Sequence, residues 1–160
     1  MAEKKIRLAV QTDLKQILEI YDWARRFMAE NGNPTQWGIS HPAQCVLEED
    51  IRRERLYVVT QDDIICGVFM FTLGDDPTYA YIEGNWHSDS PYGVIHRIAG
   101  SGGGILAAAL THCSGIISHL RIDTHADNKP MQRAIEKAGF SKCGTIYVED
   151  GTPRIAYDRI

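Results

Sequence analysis

The sequence predicts a single α/β domain over residues 1–160, an α+β arrangement in which a mixed, mostly antiparallel sheet is flanked by helices. Three observations predict it. One strand–helix–strand unit, from Val94 to Thr124, sits among hairpin signals, so one parallel pair is expected in an otherwise antiparallel sheet. Apolar residues recur at helical spacing in some segments and run in β-rich stretches between them. Turn chemistry at Asn31-Gly32-Asn33-Pro34, Gly74-Asp75-Asp76-Pro77 and Asp150-Gly151 punctuates the pattern, and no repeat or low-complexity linker divides it.

Taken in order, the elements read β-α-α-β-β-β-α-β-α-β-β. Ile6 to Val10 is a strand. Thr12 or Asp13 can cap a helix whose stripe is Leu14, Ile17, Leu18, Tyr21, Ala24 and Met28, and Asn31 to Pro34 stops it. A second helix begins after Ser40, with Pro42 near its first turn, Ala43, Val46, Leu47 and Ile51 inward, and Glu48-Glu49-Asp50 as its solvated face. Leu56 to Thr60 and Ile64 to Leu73 form a hairpin around Gln61-Asp62-Asp63. Tyr79 to Gly93 carries no assignable pattern. Val94 to Ile98 is a strand, followed by the glycine-rich Ala99 to Gly104, and Ile105 to Cys113 is a helix of small residues. Leu120 to Thr124 is the next strand. Asp127 or Asn128 can cap the helix that follows, with Pro130 in its first turn, Met131, Ala134, Ile135 and Ala138 on one face, and Gly139 at an αL C-cap. Thr145 to Val148 and Arg154 to Asp158 close the chain as a hairpin.

Bulk properties exclude several classes. A formal charge of −4 and a pI near 5.8 argue against general nucleic-acid binding. No apolar run approaches the roughly 20 residues of a membrane helix, and the first residues lead into a strand without the features of a signal peptide. Cys45, Cys66, Cys113 and Cys143 are scattered, with no C-x-x-C pair, which points to reduced core thiols in a cytoplasmic protein rather than a disulfide framework or zinc site.

The glycine cluster between a strand and a helix suits close backbone approach to a ligand, with successive N–H groups converging on a phosphate; a plain tight turn is the competing reading. A P-loop fails for want of a Gly-Lys-Ser/Thr ending. Gly102-x-Gly104-x-x-Ala107 with Asp123 fits a dinucleotide fingerprint, but two helices and a hairpin precede it, where such a site opens a βαβ series. Asp123-x-His125-x-Asp127 alternates metal-ligand types, yet an extended strand end splays them, so capping is preferred and no metal is expected.

The run Asn128-x-x-Met131-x-x-x-Ile135-x-x-x-Gly139-Phe140 resembles the Asn-to-Gly-Phe signature of the GNAT superfamily, the acetyl-CoA-dependent N-acetyltransferases, and the order of elements resembles that fold along nearly the whole chain. The resemblance implies acetyl-CoA as co-substrate and an acetyl group moved by direct attack of a primary amine, on a small molecule or a peptide. It implies that the strand ending at Ile98 and Ala99 holds the pantetheine arm through its main chain. Gly102, Gly103, Gly104 and the first turn at Ile105 would hold the pyrophosphate, and Asn128 would contact the arm where two central strands part. A homodimer is common in the family. Two positions depart from the pattern. The loop, Ser101-Gly-Gly-Gly104-Ile-Leu106, lacks the leading Gln or Arg and the small last residue, and Ile135 stands where the family has its acidic tyrosine. A module that binds acetyl-CoA without turnover is the alternative.

Acetyl transfer to an amine needs a base for the ammonium proton and a tolerable leaving group. His96 is the first candidate base, its ordinary pKa near 6.5 suiting the task; it alternates with Val94 and Ile98, so its side chain is expected on their face, where a core histidine is the other reading. Glu83 is second. Tyr147, water or Cys143 could serve as acid, or the thiolate could leave unaided. Asn85, Trp86 and Tyr92, with Trp37, are candidate walls of an acceptor pocket. Arg97 is expected on the opposite face in a structural ion pair, and Trp23 and Phe27 are read as core.

Overall fold

The computed structural model describes residues 3–160. Eight strands form one sheet: β1 (Lys4–Leu8), β2 (Leu56–Gln61), β3 (Ile64–Leu73), β4 (Glu83–Gly84), β5 (Gly93–Gly100), β6 (Leu120–Thr124), β7 (Ser141–Tyr147) and β8 (Pro153–Arg159). Their spatial order is β1-β2-β3-β5-β6-β8-β7-β4, and β5 with β6 is the parallel pair, as the strand–helix–strand unit predicts. The helices are α1 (Leu14–Glu30), α2 (Gln44–Arg52), α3 (Ile105–Ser114) and α4 (Lys129–Lys137).

Alternation along the strands divides the interior in two. Val58, Val68, Met70 and Ala99 meet Leu14, Ile17, Tyr21 and Ala24 of α1 and Leu47 of α2. Their neighbours Val59, Phe69 and Ile95 meet Ile105, Ala109 and Leu110 of α3 and Ile135 of α4 on the opposite face. A smaller cluster of Tyr79, Val94, Ile146 and Ala156 fills the remaining end of the sheet.

Several boundaries differ from the sequence reading, for identifiable reasons. The first strand runs earlier, Lys4–Leu8, because the Asp13 carboxylate accepts the Val10 N–H at 2.8 Å and turns the chain there, while also holding Arg7. Helix α2 opens at Gln44, after Pro42. Just before the unassigned stretch Asp76 caps a short 3₁₀ turn, Pro77–Tyr79, through the Thr78 N–H, and within it the two residues of β4 pair with β7. Trp23 and Phe27, read as core, lie off the α1 stripe, 40% exposed each and stacked on one another. Of the cysteines only Cys113 is buried; Cys45 is exposed.

Two irregularities position the site. On β3 and β5, Val68 pairs with Ala99 and Met70 with His96, so Phe69 faces both Arg97 and Ile98. Arg97 is the bulged residue, with φ at 53°. The bulge corrects the expectation for Ile98. It packs on the α3 side with Ile95 rather than beside His96, because an extra residue shifts the phase of everything after it. Second, β5 and β6 pair only at Gly93 with Leu120 and Val94 with Arg121, and beyond these they part.

Candidate active site

The parting of β5 and β6 opens a crevice of about 700 Å³. Ile95, His96, Arg97 and Ile98 form one wall, and Ile122, Asp123, Thr124, Asn128 and Met131 the other; Gln36 and Trp37 approach from the loop after α1, and Arg154 from β8. At the end of β5 the backbone turns through Gly102, Gly103 and Gly104, with φ of 86°, 74° and 76°, a region that glycine enters without penalty. A Cβ on Gly102 or Gly103 would meet nothing within 4 Å, so this backbone faces open space. Gly104 caps α3 without a side chain, and the Lys4 Nζ lies 3.5 Å from where its Cβ would be. Ile105 begins α3 with its side chain in the core. The loop is not among the residues lining the crevice; β5 connects the two.

His96 is not a core histidine. Its Nε2 lies 2.6 Å from Asp76 Oδ2 and its Nδ1 3.8 Å from Asp123 Oδ2, and Asp123 accepts a 2.7 Å bond from the Tyr79 hydroxyl. Burial acts to raise the Asp76 carboxyl, but hydrogen bonds from His96 and Thr78 outweigh it and hold the group down to about 2. Burial, then the Asp123 charge, keep the Tyr79 phenol well above its ordinary value. Arg97 makes the ion pair expected of it: its guanidinium and that of Arg55 converge on Asp50, which is fully buried, at 2.7 Å each. Asp50 was expected on a solvated face. The Tyr21 hydroxyl donates to the Arg97 carbonyl at 2.6 Å, so α1 and α2 together clamp the bulge.

Asn128 caps α4, accepting from the Met131 N–H at 3.2 Å, while its amide nitrogen donates to Gln36 at 3.1 Å. Arg154 is buried and makes no ion pair among the described residues; burial lowers its pKa. The buried Thr124 hydroxyl has no hydrogen-bond partner among the described residues. His41, also in the wall, is lowered by burial and then by Arg97, Arg154 and Arg25.

Other candidates lie elsewhere. Glu83 and Tyr147 bond to each other at 2.6 Å on the outer edge of the sheet, both exposed, and neither lines the crevice. Trp86 and Tyr92 sandwich the buried Arg121 guanidinium, 4.0 and 3.9 Å from the two ring centres, and Asn85 bonds through its N–H to the Cys143 carbonyl. These contacts hold the loop after β4, and none of the three residues lines the crevice. Burial and Asp158 push the Cys143 thiol up to about 12, and it too lies outside the crevice. Asp76, Gln36 and Lys4 were missed, each lying far in sequence from the residue it meets, and Arg154 was read only as part of the last strand.

No family model and no curated protein matches the chain. Solved structures do. A GNAT-family acetyltransferase from Streptococcus agalactiae is 29% identical with a TM-score of 0.89, over 98% of this chain and 95% of that one. A chain from Staphylococcus aureus, described as an acetyltransferase, is 28% identical with a TM-score of 0.69, over 96% and 97%. At 13% identity and a TM-score of 0.62, Arabidopsis thaliana Naa50, solved with the bisubstrate analogue CoA-Ac-MVNAL, shares the fold over 98% of each chain.

Proposed function

The chain belongs to the GNAT superfamily, and on that premise we infer that it moves an acetyl group from acetyl-CoA to a primary amine of a small molecule or peptide, by direct attack. The observation that carries this reading is His96, set in the wall where β5 and β6 part and backed by Asp76 at 2.6 Å.

The residues present fit acetyl-CoA. Gly102 and Gly103 offer backbone facing open space, and Lys4 beside Gly104 supplies the positive charge that the loop lacks at Ser101. The main chain of β5 beyond Val94 is not paired with β6, leaving room for an extended arm near Ile98 and Ala99. Asn128 and Thr124 line that space from the other side. Acetyl-CoA supplies the acetyl group as a thioester; the rest falls to the chain's own side chains.

Asp76 holds the His96 ring through Nε2–H, fixing the tautomer that leaves Nδ1 basic and stabilising the imidazolium once Nδ1 has taken the amine proton. Asp123 draws the incoming ammonium toward that nitrogen. Arg154, buried without an ion pair, favours an acceptor that also carries a carboxylate or another strong hydrogen-bond acceptor. No side chain need protonate the leaving sulfur, because a thiol with a pKa of about 8.5 leaves tolerably near neutrality. Ile135, where the family has its tyrosine, is fully buried and supplies no acid. The free cysteines fit a reducing compartment such as the cytoplasm.

Calorimetric titration with acetyl-CoA, followed by an amine-library assay for released thiol, tests the reading. Saturable binding with turnover on any amine supports it; binding without turnover would leave the silent-module alternative, and no binding at millimolar acetyl-CoA would end both.

A further inference from the structure

We propose that His87, Cys143 and Asp158 form a binding site for one divalent transition-metal ion of the zinc class, separate from the crevice. None of the three lines the crevice. They lie 56 and 15 residues apart, so sequence spacing gives no hint of them. The fold brings them together from the loop after β4, from β7 and from β8.

The positions are built rather than incidental. The β7–β8 register shifts between Lys142 and Gly144, making Cys143 a bulge residue, and a bulge re-aims the side chain that it carries. The His87 backbone N–H donates to Asp158 Oδ2 at 2.8 Å, fixing the loop against the carboxylate. His119, itself 1% exposed, places its Nε2 3.3 Å from the same oxygen, and its Nδ1 meets Ser90 at 3.1 Å. This is how outer groups orient a ligating carboxylate.

The donor geometry then selects among chemistries. His87 Nδ1 lies 2.6 Å from Asp158 Oδ1 and 3.2 Å from Cys143 Sγ, and the three donor atoms all fall within 4.8 Å of one another. A nucleophilic Cys–His–Asp triad would use the two ring nitrogens separately, one toward the thiol and one toward the acid. Here thiol and carboxylate address the same nitrogen. Without a metal, a proton between Nδ1 and Oδ1 joins only two of the three donors; a cation in its place joins all three. A nitrogen, sulfur and oxygen set suits zinc or cobalt and not magnesium or calcium, which take oxygen ligands. Tetrahedral zinc would set these donors roughly 3.3 to 3.6 Å apart, so the 2.6 Å contact of His87 with Asp158 must lengthen by about 0.7 Å and the 3.2 Å contact with Cys143 by about 0.3 Å, which a shift of the exposed His87 ring can give. On binding, the thiol proton leaves to solvent, Nδ1 gives its lone pair while Nε2 carries the ring proton, and water takes the fourth position. The ion would tie the loop carrying Trp86 and Tyr92 to the β7–β8 hairpin.

The full chain, stripped by a chelator and exchanged into metal-free buffer, is titrated with Zn²⁺ and with Co²⁺. One equivalent is expected, with a thiolate-to-cobalt charge-transfer band. In Cys143→Ser the band disappears, and in both Cys143→Ser and His87→Gln zinc affinity falls by at least the 10–100-fold seen for outer-shell changes. Cys45→Ser, altering an exposed cysteine, leaves both unchanged. Absence of stoichiometric uptake, or a band that survives Cys143→Ser, overturns the proposal. Neither Cys143 nor His87 is in the buried core, circular dichroism checks that each variant folds, and the readout is independent of acetyl transfer.

Discussion

The base role proposed for His96, with Asp76 2.6 Å behind it, has consequences that can be measured separately. His96→Ala should lower turnover by about 10²-fold or more while acetyl-CoA affinity stays within a few-fold, since a general base contributes to the chemical step and not to cofactor binding. Steady-state kinetics with calorimetry checks both. Asp76 is depressed to about 2 from an ordinary 3.8, so its ionised form stabilises the fold. That contribution, about 1–2 kcal/mol after allowing for solvent screening, is complete above the ordinary value and is lost as pH falls toward 2. Asp76→Asn should therefore unfold at lower urea than the parent at pH 7, with the difference shrinking toward zero near pH 2. Sequence alone nominated His96 from its ring chemistry. It could not nominate Asp76, because the contact crosses from the loop after β3 to a strand 20 residues on.

At the scale of elements, the bulge in β5 is an unfavourable backbone conformation held by its surroundings. A non-glycine residue at φ 53° costs of order 1–3 kcal/mol, and the Tyr21 hydroxyl and the Asp50 carboxylate fix Arg97 there. Asp50→Ala leaves Arg55 and Arg97 half-buried and unpaired and should cost about 2–4 kcal/mol in chemical denaturation. The glycine loop behaves oppositely. Gly103→Val finds open space, so its cost is the left-handed backbone, about 1–2 kcal/mol. By covering the amides it should also weaken acetyl-CoA by tenfold or more in the same titration. Elements with strong periodicity were legible: Leu120–Thr124 as a strand, and the helix after Asn128 to within a residue or so. The bulge was not, because the run Val94-Ile-His-Arg-Ile-Ala99 carries no strict period of two, and only pairing with β3 shows the extra residue. β4 was missed because two residues carry no period.

Across the whole molecule, the sheet is two half-sheets joined by two paired positions between β5 and β6, with the α3 core spanning both. A ligand laid along the parting would bridge them. Acetyl-CoA at a hundred times its Kd should raise unfolding free energy by about 2.7 kcal/mol. Hydrogen exchange should slow in residues 95–100 and 122–124 more than at the outer strands β1 and β4. Arg97 has one more implication. Ile95 and Ile98 serve one layer and His96 and Ala99 turn to the other, so excising Arg97 would leave the inside–outside rhythm of β5 unbroken. The arginine is supernumerary to the apolar phasing. What the chain keeps by carrying it is a bent strand, and with the bend, elbow room beside the imidazole.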